Sequence, residues 1–306
     1  MNPHNPKKIN LAIQKINLTI ADYEICPIPT GEFGLDGGAM FGTVPKVLWE
    51  KTNPTDDQNR IQMEARALLL KSKDRNILID TGNGSDFVAK YGDKLGTKFK
   101  TMYNVDDQGP SLLKSLKNKN INPEDITDVI LTHLHFDHAG GSTTEKNGQI
   151  VPMFPKAKYY VQRSNLETAK NPNVREKASY FAANFQPLID HKQLTLIDGN
   201  EKNILPNIHF FISNGHTQGH QAVIVEDDHT RLIYCGDVIP TSTHIRSAWI
   251  MGYDLNPLQI IEEKLKLLSL SQDKKTYYFF EHDPYCDAAV VVPDKSEFQA
   301  EEKFWL

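Results

Sequence analysis

The chain has 306 residues, 39% of them apolar and 24% charged, with a formal charge of −5 at pH 7 and the two signs interleaved. That apolar supply is enough for a real core, and the lack of a basic face or stripe argues against a nucleic-acid partner. Three scattered cysteines, Cys26, Cys235 and Cys286, exclude a disulfide framework and a C-x-x-C site.

In chain order, the opening MNPHNPKKINLAIQKINLTI has no long apolar core ahead of a small-residue cleavage site, so no secretory signal is read there. No segment approaches the roughly 20 apolar residues that span a bilayer. The expectation is a soluble cytoplasmic protein without a membrane partner. No repeat or linker marks a boundary, so residues 1–306 read as one domain. Residues 24–60 carry Gly, Pro and large apolar groups without a clear period and read as a long loop, too bulky for disorder. Its Phe33, Met40, Phe41 and Trp49 are expected either to line a pocket or to pack the loop, with a homodimer contact as a further option.

Eight short runs then read as strands: ALLLKS (67–72), NILID (76–80), DVILT (128–132), KYYVQ (158–162), HFFIS (209–213), AVIVE (222–226), RLIYC (231–235) and TYYFF (276–280). Most are β-branched or aromatic and stop at Gly, Asp, Asn or Thr. PSLLKSLKNK and REKASYFAANF read as helices between them. NPLQIIEEKLKLLSL reads as a helix with Asn256 as N-cap, Pro257 at its first position, and Leu258, Ile261, Leu265 and Leu268 on one face. Mixed strands and helices over this length imply an α/β protein with sheets covered by helices.

The chemistry sits where these runs stop. After DVILT comes His133-x-His135-x-Asp137-His138, which can serve two metal ions about 3.5–4 Å apart, an H-x-H pair on one and a D-H pair on the other. His216 follows HFFIS, Asp237 follows RLIYC, where a carboxylate can bridge two ions, and His282 follows TYYFF. Such a set suits two zinc ions, with iron, cobalt or manganese as alternatives. His4, His191 and His229 read as surface histidines.

In this order, THLHFDHAGG, GHTQGH, CGDV and EHD resemble the motifs of the metallo-β-lactamase-fold hydrolases along nearly the whole chain. The resemblance implies an αββα sandwich of two mixed sheets flanked by helices, with a dinuclear site at one sheet edge. It also implies His133, His135 and His216 on the first metal, Asp137, His138 and His282 on the second, and Asp237 bridging. ILIDTG is similar to the family's first motif, which makes Asp80 a residue orienting a ligand, compatible with its capping a turn before Gly82.

LDGGAMFGTVPKVLWEK, GDVIPTSTHI and WIMGYDLNP look most like the branch that opens N-acyl-homoserine lactones and quenches quorum sensing. That implies ring opening by a hydroxide held between the ions, aimed by Asp137, on a small-molecule lactone or ester. Other ester, thioester or phosphotriester hydrolysis needs the same seven ligands. The tyrosine that several such lactonases carry three residues after the bridging aspartate is Pro240 here, so His244, Tyr253 or Asp254 is a candidate for its role, His244 first as a catalytic residue. Only 24 residues follow His282, which leaves no glyoxalase-II-type helical domain. A non-catalytic binding protein is disfavoured because no ligand is missing.

Overall fold

A computed structural model describes residues 13–105, 109–201, 204–295 and 297–306. The reading of the N-terminus through residue 12, including His4, lies outside the described residues. All eight expected strands form, and among the described residues they belong to two seven-stranded sheets. The first runs Leu194–Ile197, Lys158–Gln162, Asp128–Ile130, Asn76–Ile79, Arg60–Lys71, Tyr23–Asp36, Leu18–Ile20, parallel over its first four strands and antiparallel beyond. The second runs Ile13–Lys15, Glu297–Trp305, Ala288–Asp294, Lys275–Phe279, Thr230–Tyr234, His220–Glu226, Ile208–Ser213.

One apolar cluster fills the space between the sheets, with Leu68, Leu70, Ile77, Ile79 and Ile130 meeting Val223, Val225, Leu232, Tyr277 and Phe279. Each such side chain contributes about 1.5–3 kcal/mol on burial. Two further clusters seal the outer faces. Helices Leu112–Asn118, Arg163–Lys170 and Gln186–Asp190 cover the first sheet, and Pro257–Ser269 covers the second. This is the expected αββα sandwich of two mixed sheets.

The 24–60 segment is not a loop throughout. Tyr23–Asp36 is a 14-residue strand, and residues 37–49 hold the short helices Gly37–Phe41 and Lys46–Trp49. Its signal is hidden for two reasons. Burial is nearly continuous rather than alternating. From Cys26 onward the strand pairs only with Arg60–Lys71, so Pro27 and Pro29 sit on an edge, where a missing N–H costs nothing.

REKASYFAANF is not a helix either. Beyond a single turn at Ala182–Asn184 it is a chain of turns, because the Ser179 carbonyl accepts from Phe136 N–H and His135 bridges to Tyr180. The helix Pro257–Ser269 forms, but its buried side is Ile260, Glu263, Lys264, Leu267 and Leu268, and Leu258 is 78% exposed. Tertiary partners rotate it. Glu263 accepts from Ser213 Oγ and from the N–H groups of Asn214 and Gly215, and Lys264 Nζ donates to the carbonyl of Trp249.

Candidate metal centre

Five strands end at the same sheet edges, and the ligands hang from those ends. Asp80 follows Asn76–Ile79, His133 follows Asp128–Ile130, His216 follows Ile208–Ser213, Asp237 follows Thr230–Tyr234, and His282 follows Lys275–Phe279. Parallel pairing of 76–79 with 128–130, and of 230–234 with 275–279, aligns those C-terminal ends. Gln221 N–H donates to the Thr132 carbonyl across the two sheets at 2.9 Å, so the edges meet. Asp137 and His138 lie in the one-turn helix Phe136–Ala139. Glycines let the backbones close in. A Cβ on Gly140 would lie 2.2 Å from the Asn83 carbonyl oxygen, and one on Gly236, at φ 50°, would lie 2.5 Å from His220 Nε2.

All seven expected ligands are brought together and buried. Asp237 is central. Its Oδ2 lies 3.1 Å from His216 Nε2, 3.4 Å from His138 Nε2 and 3.8 Å from His133 Nε2, and its Oδ1 lies 3.3 Å from His282 Nε2. His135 Nδ1 is 3.2 Å from His216 Nε2, and Asp137 Oδ2 is 3.8 Å from His282 Nε2. The seven donors fall into two groups able to hold metal that share no member, His133, His135, His216 and Asp237 in one, Asp137, His138 and His282 in the other, while Asp80 and Glu281 form a third such group with His138.

The fit of these residues to metal rests on their unsatisfied atoms. His133 Nε2 and Asp237 Oδ1 are buried with no hydrogen-bond partner among the described residues. Polar atoms left without a partner inside a protein are costly unless something binds them. Burial first, then the neighbouring imidazoles, holds His133 and His135 far below the usual histidine range, in the neutral form that binds metal.

The far nitrogens are tied down. His216 Nδ1 meets Asp254 at 2.9 Å, His282 Nδ1 donates to the Glu64 carbonyl at 2.9 Å, and His138 Nδ1 lies 3.0 Å from Asp80 and 2.8 Å from Glu281. Asp80 also accepts from Thr132 N–H and Oγ1–H at 2.7 and 2.6 Å, the orienting place expected of it. His220 Nε2 accepts from Asp237 N–H at 3.0 Å. Glu281, His220 and the Asp254 contact were not read from sequence. Glu281 adjoins His282 and His220 ends GHTQGH, so proximity to a motif was the available signal.

His244 does not join the site. It is fully buried, its Nε2–H donates to the Met40 carbonyl at 2.9 Å, its Nδ1 accepts from Thr241 at 2.7 Å, and its ring stacks on Phe41. Burial holds its pKa down at about 3, so it has neither a free proton nor a free lone pair to offer. We expect His244→Ala to cost about 2–3 kcal/mol of stability in urea melts while leaving turnover per folded molecule unchanged. A specific loss of turnover would restore a catalytic role.

A cavity of about 270 Å³ opens over His135, Asp137, His216, Asp237 and His282. Its apolar wall includes Leu35, Met40, Met63, Phe136 and Met251, and its polar wall includes Tyr103, Arg175, Glu176 and Tyr253. Of the four apolar residues expected either to line a pocket or to pack the loop, Met40 lines it. Phe33 instead meets the edge of His282, and Phe41 and Trp49 stack on one another in a packed cluster. Pro240 serves through its carbonyl, which accepts from His282 N–H at 3.1 Å.

An αββα sandwich with buried histidines and carboxylates gathered at one edge defines a class of metal-binding proteins. The metallo-beta-lactamase superfamily model matches residues 64–282, and the chain belongs to that superfamily. It is similar to an N-acyl homoserine lactonase of Bacillus cereus, 27% identical over 179 residues; these are 57% of this chain and 63% of that relative, so less than two thirds of that relative is spanned. A Staphylococcus aureus structure named as a probable metal-dependent hydrolase is 30% identical, with a TM-score of 0.82 over 94% of this chain and 98% of that one. AidC, named as a dizinc quorum-quenching lactonase, shares the fold at 20% identity and a TM-score of 0.75 over 96% of this chain and 98% of that one.

Proposed function

We propose that this chain is a metal-dependent hydrolase that opens lactone rings, N-acyl-homoserine lactones in particular. The carrying observation is the Asp237 carboxylate, one oxygen facing His216 and His133 and the other facing His282. In this reading His133, His135 and His216 hold one divalent ion, Asp137, His138 and His282 hold another, and Asp237 holds both. Zinc suits these donors best. When bound, the pair of ions lowers the pKa of a shared water and polarises a carbonyl.

The protein's own part is positioning. Asp137, on the cavity wall, accepts a hydrogen bond from the attacking water and aims it. Among the described residues the phenols of Tyr103 and Tyr253 have no hydrogen-bond partner, and burial first raises the pKa of both, so each stays a donor toward a substrate carbonyl or its oxyanion. They take the role of the tyrosine absent at Pro240. Met40, Met63 and Met251 are flexible apolar groups suited to an acyl chain. Among the described residues no helix is long and apolar enough to cross a membrane. The three free, buried thiols Cys26, Cys235 and Cys286 support a cytoplasmic location.

A pH-stat assay on lactones of graded acyl length, beside aryl esters and a phosphotriester, tests this. Lactones are expected to be the best substrates. Preference for the phosphotriester or aryl ester would move the assignment to that class, and inertness toward all of them in the metal-loaded protein would leave a binding protein.

A further inference from the structure

Among the described residues, His135 is the one expected histidine ligand whose far nitrogen has no hydrogen-bond partner. Its Nδ1 faces His216 Nε2 at 3.2 Å, the side from which a shared ion would be held, and its Nε2 is buried without a partner among the described residues. The imidazole proton then sits on Nε2 and lacks an acceptor. Glu176 Oε2 lies 4.0 Å away.

A directed chain of hydrogen bonds ends on that carboxylate. Thr217 Oγ1 donates to Glu176 Oε2 at 2.7 Å. Its single proton being so used, it accepts from Tyr180 OH at 2.8 Å, and Tyr180 OH accepts from Asn165 Nδ2 at 3.4 Å. Asn165 Oδ1 accepts from the N–H of Leu134, between His133 and His135, at 2.9 Å. Asn173 Nδ2 donates to Glu176 Oε1 at 2.7 Å. Glu176 also lines the cavity, and the adjacent Arg175 guanidinium donates to the Gly252 carbonyl on the opposite rim.

We infer that Glu176 is the positioning residue of His135, so that the turn segment around 173–180 sets both the cavity wall and the hold on the first ion. A carboxylate taking the far N–H of a metal-bound histidine fixes its tautomer and raises its basicity, which here requires the 4.0 Å gap between His135 Nε2 and Glu176 Oε2 to close to hydrogen-bond length when the ion is held. The inference rests on the reading of His133, His135, His216 and Asp237 as ligands.

Competition of the full-length protein against a zinc chelator, with metal stoichiometry and the visible spectrum of the cobalt(II)-substituted protein, tests it without any substrate. Glu176→Ala is expected to weaken one of two zinc equivalents about 10–100-fold and to shift the cobalt bands. Glu176→Gln, which keeps an acceptor oxygen, should recover most of that loss. Two equivalents held by Glu176→Ala at wild-type affinity with an unchanged spectrum would overturn the inference and leave the proposed function standing. Failure of the wild type to take up metal would sink the proposed function itself. Should Glu176→Ala not fold, Thr217→Val, which removes the donor orienting the carboxylate, is expected to weaken the same equivalent to a smaller degree, and wild-type affinity there would count against the inference.

Discussion

Asp237→Asn should abolish most turnover and one or both metal equivalents. The amide has the shape of the carboxylate but one ligating oxygen and no charge, so it can face the His216 side or His282, not both. The backbone is not at risk, since Asp237 N–H is held by His220 whatever the side chain. Charge stabilisation by metal is worth several kcal/mol at the transition state, so we expect a fall of about 10³-fold in kcat/KM. Steady-state kinetics beside metal analysis of the purified variant checks this. Wild-type metal content with wild-type turnover would show that Asp237 bridges nothing.

Chelation should cost stability as well as activity. At metal concentrations about 1,000 times Kd, each ion adds about 4 kcal/mol to the folded state, about 6 °C in Tm for a chain of this length. In the metal-free cluster, burial pulls His216 and His282 down, but the Asp237 carboxylate outweighs it and lifts them to about 10 and about 8. Both folded values lie above the free-histidine value of about 6.5, so this ion pairing stabilises fully below pH 6.5 and is lost as pH rises through about 8 and about 10. Metal uptake must displace those protons. Calorimetric melts with and without chelator should therefore diverge more at pH 8 than at pH 6.5, and zinc should close the gap. Identical melts at both pH values would mean that the cluster holds no ion.

These expectations depend on residues of differing legibility. His133, His216, Asp237 and His282 were readable as candidate ligands because each follows a β-type run, and His135, Asp137 and His138 because they crowd directly behind His133; aligned strand ends meet at one edge. Asp80 was readable for the same reason, at the end of Asn76–Ile79. His244 misled because it lies seven residues beyond Asp237 in sequence. A one-turn helix at Ser242–Ile245 carries it under Phe41 instead of into the cavity. Glu176 was illegible, since REKASYFAANF has helical spacing and only its bond to the Phe136 segment unwinds it.

The sequence by itself determined an α/β protein with helix-covered sheets and put the candidate donors at strand ends, because strand-forming runs and the residues that end them are local properties; the αββα sandwich was legible only through the resemblance to the metallo-β-lactamase-fold hydrolases. Tertiary structure decided which way each side chain turned and what faced the cavity. It made Tyr23–Asp36 an edge strand, rotated the helix Pro257–Ser269 toward Glu263 and Lys264, and set Glu176 beside His135. Those outcomes depend on partners distant in the chain, where buried hydrogen bonds and packing outweigh local preference.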